Sequence, residues 1–184
     1  MTSVTVIGTG ARARAISKLA EKAGAMVQLL AADASDEIAG DLVVLAVPYP
    51  EHDAVVEVYG SQLAGRIVLD IAEPNDPRTH ERLLSQGSSG AEMLALALPE
   101  STVVKAFTPT AAEALLAAAA QPGTTSVLVV GDDRLAKQKV MRLAGVAGVE
   151  VHDDGPLSRA RELERQGLDG QPGDPRAPGG QVPA

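Results

Sequence analysis

The sequence contains no cysteine and no tryptophan, and its aromatic content stops at two tyrosines and one phenylalanine. Without cysteine there is no disulfide framework, no thiolate nucleophile and no Cys-ligated metal, a composition that suits a reducing cytoplasm. Positive charge is also short. Sixteen Lys and Arg stand against 24 Asp and Glu, and the net charge of −8 argues against nucleic acid as the main partner. No apolar run reaches the roughly 20 residues of a membrane span. Gly8, Gly10, Arg12 and Arg14 break up the stretch where a signal peptide would need its apolar core. A soluble, cytoplasmic protein is expected. Histidine is sparse as well: His52, His80 and His152 each stand in polar, turn-like text and read as solvated surface residues. No Ser-His-Asp arrangement and no metal-ligand spacing is recognisable, so no catalytic side chain and no metal are expected.

What the chain does have is aliphatic residues, and 45% hydrophobic content over 184 residues suffices for one domain-sized core. "SVTVIGTGARARAISKLAEKAG" at 3–24 passes from a β-branched run through two glycines into a helical pattern, with Ile16, Leu19, Ala20 and Ala23 on one face. At a strand-to-helix turn, G-x-G-x-x-A has a mechanism. Gly8 allows the tight turn, Gly10 lets backbone approach a pyrophosphate, and Ala13 permits close helix-strand packing. The free N–H groups and dipole of the helix start would receive the phosphates.

Further apolar runs follow at 26–31, 41–48 ("DLVVLAVP"), 66–74 ("RIVLDIAEP"), 101–109 ("STVVKAFTP") and 125–133 ("TSVLVVGDD"), with helical segments between them. Unbroken apolar runs are expected of parallel strands buried on both faces. The fold class is therefore α/β, a Rossmann-like doubly wound parallel sheet. After 41–48 a helix should bury Val55, Val58, Tyr59 and Leu63. Capping boxes are read in "SGAE" (89–92) and "TAAE" (110–113), and Asp132 and Asp133 can cap the helix carrying Ala136, Val140, Leu143 and Ala144. Only nine residues, 32–40, separate the second and third apolar runs, whereas a complete crossover needs a dozen or more. The first half is thus expected to be trimmed by about one helix and one strand. From Gly167 the text "GLDGQPGDPRAPGGQVPA" is half Gly and Pro, and 167–184 should be a disordered tail following a dinucleotide-binding domain over 1–166.

Taken in order, "VTVIGTG", "DLVVLAVPYP", "GSSGAE", "VVKAFTPT", "VLVVGDD" and "GPLSRARELE" resemble the small NADP oxidoreductases that depend on the deazaflavin coenzyme F420. Their N-terminal domain type is shared with pyrroline-5-carboxylate reductases. The resemblance implies hydride transfer between a nicotinamide cofactor, NADP or NAD, and F420 or a similar acceptor. Such chemistry asks little of side chains, because both redox carbons belong to cofactors. Carried over residue by residue, Thr9, Gly10, Ala11 and Arg12 would surround the pyrophosphate. Ala46, Val47 and Pro48 would lie against ribose and nicotinamide, while Phe107, Thr108 and Pro109 would face the deazaflavin. Phe107 reads equally as a core aromatic. Lys105, Arg159 and Arg161 are within the resemblance's reach of the acidic F420 tail, but read more simply as solvated surface charge.

Two features depart from the family's pattern. The Arg that clamps a 2′-phosphate after the second strand is replaced by Ala31, Ala32 and Asp33. An acid at Asp33 would accept hydrogen bonds from a free 2′-hydroxyl, although "ADASDE" also reads as a polar loop. Beyond Gln166 the family continues in hydrophobic chain where this sequence turns to Gly and Pro. The expected partners are a small-molecule cofactor or substrate, with neither nucleic acid nor membrane; a homodimer stays open. The alternative to an oxidoreductase is a trimmed, non-catalytic dinucleotide-binding protein. A third reading, imine reduction of the pyrroline-5-carboxylate type, calls for a long helical C-terminal domain that this text does not contain.

Overall fold

The computed structural model describes residues 2–85, 87–107 and 126–169, with the side chains of 166–169 left aside. The expected N-terminal unit forms as β1 (Ser3–Ile7), α1 (Ala11–Lys22) and β2 (Met26–Leu30). Then come β3 (Leu42–Leu45), a 3-10 turn (Tyr49–Glu51), α2 (His52–Leu63), β4 (Ile67–Asp70), α3 (Gly90–Ala97) and β5 (Thr102–Lys105). The described remainder is β6 (Ser126–Gly131), α4 (Arg134–Val146), β7 (Glu150–Asp153), a second 3-10 turn (Leu157–Arg159) and α5 (Ala160–Asp169). The strands make one sheet in the order β2-β1-β3-β4-β5-β6-β7.

Each central strand is buried on both faces because successive side chains serve different cores. Val4, Val6, Leu42, Val44 and Leu69 pack under α1 and α4 against Ile16, Leu19, Ala20, Val140 and Leu143. Ile7, Val43, Leu45 and Val68 face the other way, against Val55, Tyr59 and Leu63 of α2, Leu94 of α3 and Leu163 of α5. This is the doubly wound arrangement. Val58, expected on the buried face of α2, is 37% exposed.

Two expectations about strands need correction. The sheet is parallel from β2 to β5, but β6 pairs with β5 antiparallel, Lys105 opposite Val130. An unbroken apolar run reports burial on both faces and carries no information on direction. β7, parallel to β6, was not expected at all. As an edge strand reading Glu-Val-His-Asp, it buries too little to give an apolar signal.

The trimmed first half is observed. β2 is the edge of the sheet, and no helix or strand stands between it and β3. Side chains satisfy this connection's backbone in place of regular structure. Thr5 Oγ1 accepts from Gly40 N at 2.9 Å, Gln28 Nε2 donates to Glu37 O, and Gln62 Oε1 accepts from Ile38 N. Arg66 donates to the carbonyls of Gly40 and Ile38 at 2.8 and 3.1 Å.

Both described helix caps form. Ser89 Oγ accepts from Glu92 N, and Asp133 Oδ1 accepts from Ala136 N at 2.7 Å. Asp132 does something else, accepting from Leu157 N at 2.9 Å and so tying the second 3-10 turn to β6. The cap expected at Thr110 lies outside the described residues. α5 continues to Asp169, past the expected start of the tail at Gly167, and 170–184 lie outside the described residues.

Candidate functional site

The strand order reverses between β1 and β3, and a crevice opens there at their carboxyl ends, as α/β topology dictates. Gly8 sits at φ +128°, and a Cβ added there would come 2.5 Å from Ala46 O. Gly8 N donates to Leu30 O and Ala46 N to Ile7 O, each at 2.8 Å, so the turn is fixed to its neighbours on both sides. Gly10 is the N-cap of α1 and offers no side chain, and the first turn of that helix carries no acid. The amides opening α1 therefore meet no side-chain cap. A Cβ on Gly10 would find nothing within 4 Å. Ala13 is fully buried against the sheet.

Residues 8–12, Ala32, Ala46, Val47, Pro48 and Glu51 line a cleft of about 410 Å³. Eight of the residues expected to bind cofactor are thereby brought together: Gly8, Thr9, Gly10, Ala11, Arg12, Ala46, Val47 and Pro48. Asp33 is exposed beside the lining residue Ala32. Arg14 donates from Nη1 to Thr9 O at 2.6 Å, which leaves Arg12 as the arginine of the lining. Phe107 is 2% exposed in the core under α1 and α4, with φ +55°, so its ring belongs to the packing. Thr108 and Pro109 lie outside the described residues.

Two strands beyond β3, a side chain expected at the surface is buried. Lys105 is completely enclosed, which overturns its reading as solvated charge. Its Nζ lies 3.0 Å from Asp70 Oδ2 and 3.4 Å from Glu164 Oε1, and donates also to Ala72 O. Burial acts to lower the Lys105 pKa, but the charges of Asp70 and Glu164 outweigh it and hold it above the ordinary value. Glu164 also accepts from Gly90 N and Ala91 N, at 3.0 and 3.2 Å, which binds α5 to the start of α3.

His52 is likewise buried rather than solvated. It is 5% exposed, 3.8 Å from Asp70 Oδ1 through Nε2, and neither ring nitrogen has a hydrogen-bond partner. Burial pulls its pKa down despite Asp70. His80 and His152 are exposed as expected, and so are the side chains of Arg159 and Arg161, which pair with Asp154 and Glu162 and with Glu92. Asp70, Glu73 and Glu164 were not singled out. A signal existed in the apolar strands "IVLD" and "TVVK", which end on opposite charges and lie side by side, with Asp70 next to Lys105.

The fold and cleft define a Rossmann-like domain of the kind found in dinucleotide-binding reductases. No known protein-family profile matches the chain. It is 34% identical over 137 residues to an F420-dependent NADP reductase from Methanocaldococcus jannaschii, a match covering 72% of this chain and 60% of that protein. Over 122 residues it is 37% identical to the metalloreductase STEAP3 of Rattus norvegicus, covering 66% of this chain and 24% of that one. The chain thus spans about a quarter of the one curated relative and three fifths of the other. In structure it is similar to a candidate F420-dependent NADP reductase from Arthrobacter sp. FB24, with a TM-score of 0.77, 24% identity and 90% of each chain covered. The resemblance to the F420-dependent NADP reductases therefore holds in sequence and in fold. Among the described residues, no helix is long and apolar enough to cross a membrane, and no group of three or more His, Cys, Asp or Glu could hold a metal.

Proposed function

We propose that the chain is an oxidoreductase that binds a nicotinamide dinucleotide in the glycine-turn cleft and passes its hydride to coenzyme F420 or a similar acceptor. The carrying observation is the cleft itself: bare amides at the start of α1, open space at Gly10, and a wall of Ala46, Val47 and Pro48 at the switch point. These residues fit the group. The amides and Arg12 would meet the pyrophosphate, and the small apolar wall would take ribose and ring. When bound, the nicotinamide supplies a hydride donor. The chain's own part is to orient the ring, exclude water and complement charge, which suits a site with few catalytic side chains. The curated relatives support this reading, since one is named a reductase of NADP dependent on F420 and the other a metalloreductase.

Mixing the purified protein with NADPH and F420, and following loss of the oxidised deazaflavin absorbance, tests the proposal. Turnover is expected. Tight NADPH binding without transfer to any hydride acceptor would leave the non-catalytic dinucleotide-binding reading instead.

A further inference from the structure

In a dinucleotide-binding domain, the acid that meets the adenosine ribose stands at the end of the second strand, about 20 residues past the glycine turn. Here Ala31 and Ala32 follow that strand, and Asp33 is exposed and outside the cleft lining. The acid that does line the cleft is Glu51. It closes the 3-10 turn that follows the Ala46–Pro48 wall, its N–H donating to Pro48 O at 3.0 Å. The helix that begins there, α2, is fastened to the end of β2. Tyr59 Oη donates to Ala31 O at 3.0 Å, and Ala32 packs on the core that contains Val47, Val55 and Tyr59. Glu51 stands one turn before Val55 on this stripe of α2 and shares the cleft with Ala32.

Two opposite charges therefore line one cleft without meeting. Among the described residues, neither the Glu51 carboxylate nor the Arg12 guanidinium has a hydrogen bond or an ion pair, whereas Arg14 is held by Thr9 O. We propose that Glu51 selects the nucleotide by accepting hydrogen bonds from the hydroxyls of the adenosine ribose, and that the ligand class is a dinucleotide with a free 2′-hydroxyl. The inference rests on nucleotide binding in this cleft, as proposed above. The bare amides of α1 and Arg12 take the anionic pyrophosphate, and Glu51 takes the part of the ligand that offers O–H donors. An ionised carboxylate only accepts, so a ribose diol satisfies it. A 2′-phosphate brings it about two negative charges instead, and drawing Arg12 across to neutralise them takes that arginine from the pyrophosphate. Selectivity thus comes from the residue before α2 rather than from the loop after β2, where the sequence points to Asp33.

Calorimetry with NADH, NADPH and 2′-deoxy-NADH tests this with no hydride acceptor present. The unmodified protein should bind NADH about tenfold more tightly than NADPH. Glu51→Gln should weaken NADH by about tenfold and leave no preference for it, and Glu51→Lys should turn the preference to NADPH. Asp33→Asn should move the ratio by less than about twofold. Removing the 2′-hydroxyl should weaken binding to the unmodified protein and make little difference to Glu51→Gln. A carboxylate at a helix start also suits the helix dipole. If that were its whole role, Glu51→Gln would lower the melting temperature and keep the ratio between the nucleotides, a result that overturns the proposal. A shift seen in Asp33→Asn and not in Glu51→Gln overturns it too, as does NADPH bound more tightly than NADH by the unmodified protein. Failure of the unmodified protein to bind any of the three ligands overturns the proposed function and this role with it; nucleotide binding whose selectivity ignores Glu51→Gln removes only the role.

Discussion

At the carboxyl ends of β1 and β3 the working surface is made of backbone. Glycines, alanines and a proline leave amides and open space, and one arginine stands at the rim. At the carboxyl ends of β4 and β5 it is made of charge, with Lys105 held between Asp70 and Glu164 and with His52 and Glu73 close by. The difference teaches how each region can fail. A backbone-built site is lost when a side chain intrudes, and it does not support the fold through its polar groups. A buried ion cluster holds three elements together, so removing one member strands the others in a low-dielectric interior.

The largest effect should come from Lys105→Met. It leaves two buried carboxylates without their cation and should cost about 3–5 kcal/mol in urea unfolding, with α5 detaching from α3. Adding Asp70→Asn and Glu164→Gln should return much of that loss. The pH dependence follows from the raised folded pKa. The Lys105 contribution is complete below its unfolded value, near 10.5, and is lost as the pH rises through the higher folded value. A single variant as stable as the wild type would show that the cluster is not what joins these elements.

Glu73 has the same sign with the opposite consequence at neutral pH. Its folded pKa is raised from 4.5 to about 7, so stability is fully present below 4.5 and falls as the pH rises towards 7. Glu73→Gln should remove that slope and gain roughly 3 kcal/mol at alkaline pH, an order-of-magnitude figure from the size of the shift. A stability profile that keeps its slope in the variant would place the titration on another group.

The contrast also explains what the text of the chain discloses. The glycine turn is legible because its pattern is local, six consecutive residues between a β-branched run and a helical stripe, and every lining residue drawn from it lies in the cleft. The trimmed crossover was legible by counting. Lys105 was not, because a lysine's usual place is the surface and only long-range pairing, with β4 and α5, makes it interior. His52 was misread for a related reason. Its neighbours Glu51 and Asp53 are polar, yet as the first residue of α2 it turns inward beside Asp70. The direction of β6 was illegible in principle, since burial on both faces gives the same run in either orientation.

The cleft has its own pair of tests. Gly8→Ala places a Cβ against Ala46 O in a backbone region unsuited to it, and should lose about 1–3 kcal/mol of stability together with nucleotide binding. Gly10→Val should leave the melting temperature nearly unchanged, because the space beyond Gly10 is open, while calorimetry shows a loss of affinity of about tenfold or more. Unchanged affinity in Gly10→Val would move the phosphates away from this turn.

Cofactor choice should change by about tenfold, or 1.4 kcal/mol. Ala31 and Ala32 offer no clamp for a 2′-phosphate and Asp33 adds a like charge, so NADH is expected to bind at least as well as NADPH. Ala32→Arg with Asp33→Ser should turn the preference to NADPH. Much tighter NADPH binding by the unmodified protein would assign the clamp to Arg12, which already lines the cleft beside Ala32.

The smallest expected effect lies where the charged region meets a helix start. Two side chains share the first three amides of α3: Ser89 Oγ takes Glu92 N, while Glu164 takes Gly90 N and Ala91 N. Ser89→Ala removes one acceptor and leaves the other two bonds in place, so it should cost about 1 kcal/mol, the usual loss for a capping serine. Ser89 also donates to Glu92 Oε2 at 2.8 Å, but Arg161 holds that carboxylate from the other side at 2.6 and 2.7 Å, so Glu92 stays partnered. With Glu164 already changed to Gln, the carboxylate's hold on Gly90 and Ala91 weakens and Ser89 becomes the main cap of α3. The same Ser89→Ala change should then cost more than it does alone. A double-mutant cycle by urea unfolding measures this. Strict additivity would mean that Glu164 steadies α3 through Lys105 alone, and that its bonds to the helix amides contribute nothing to stability.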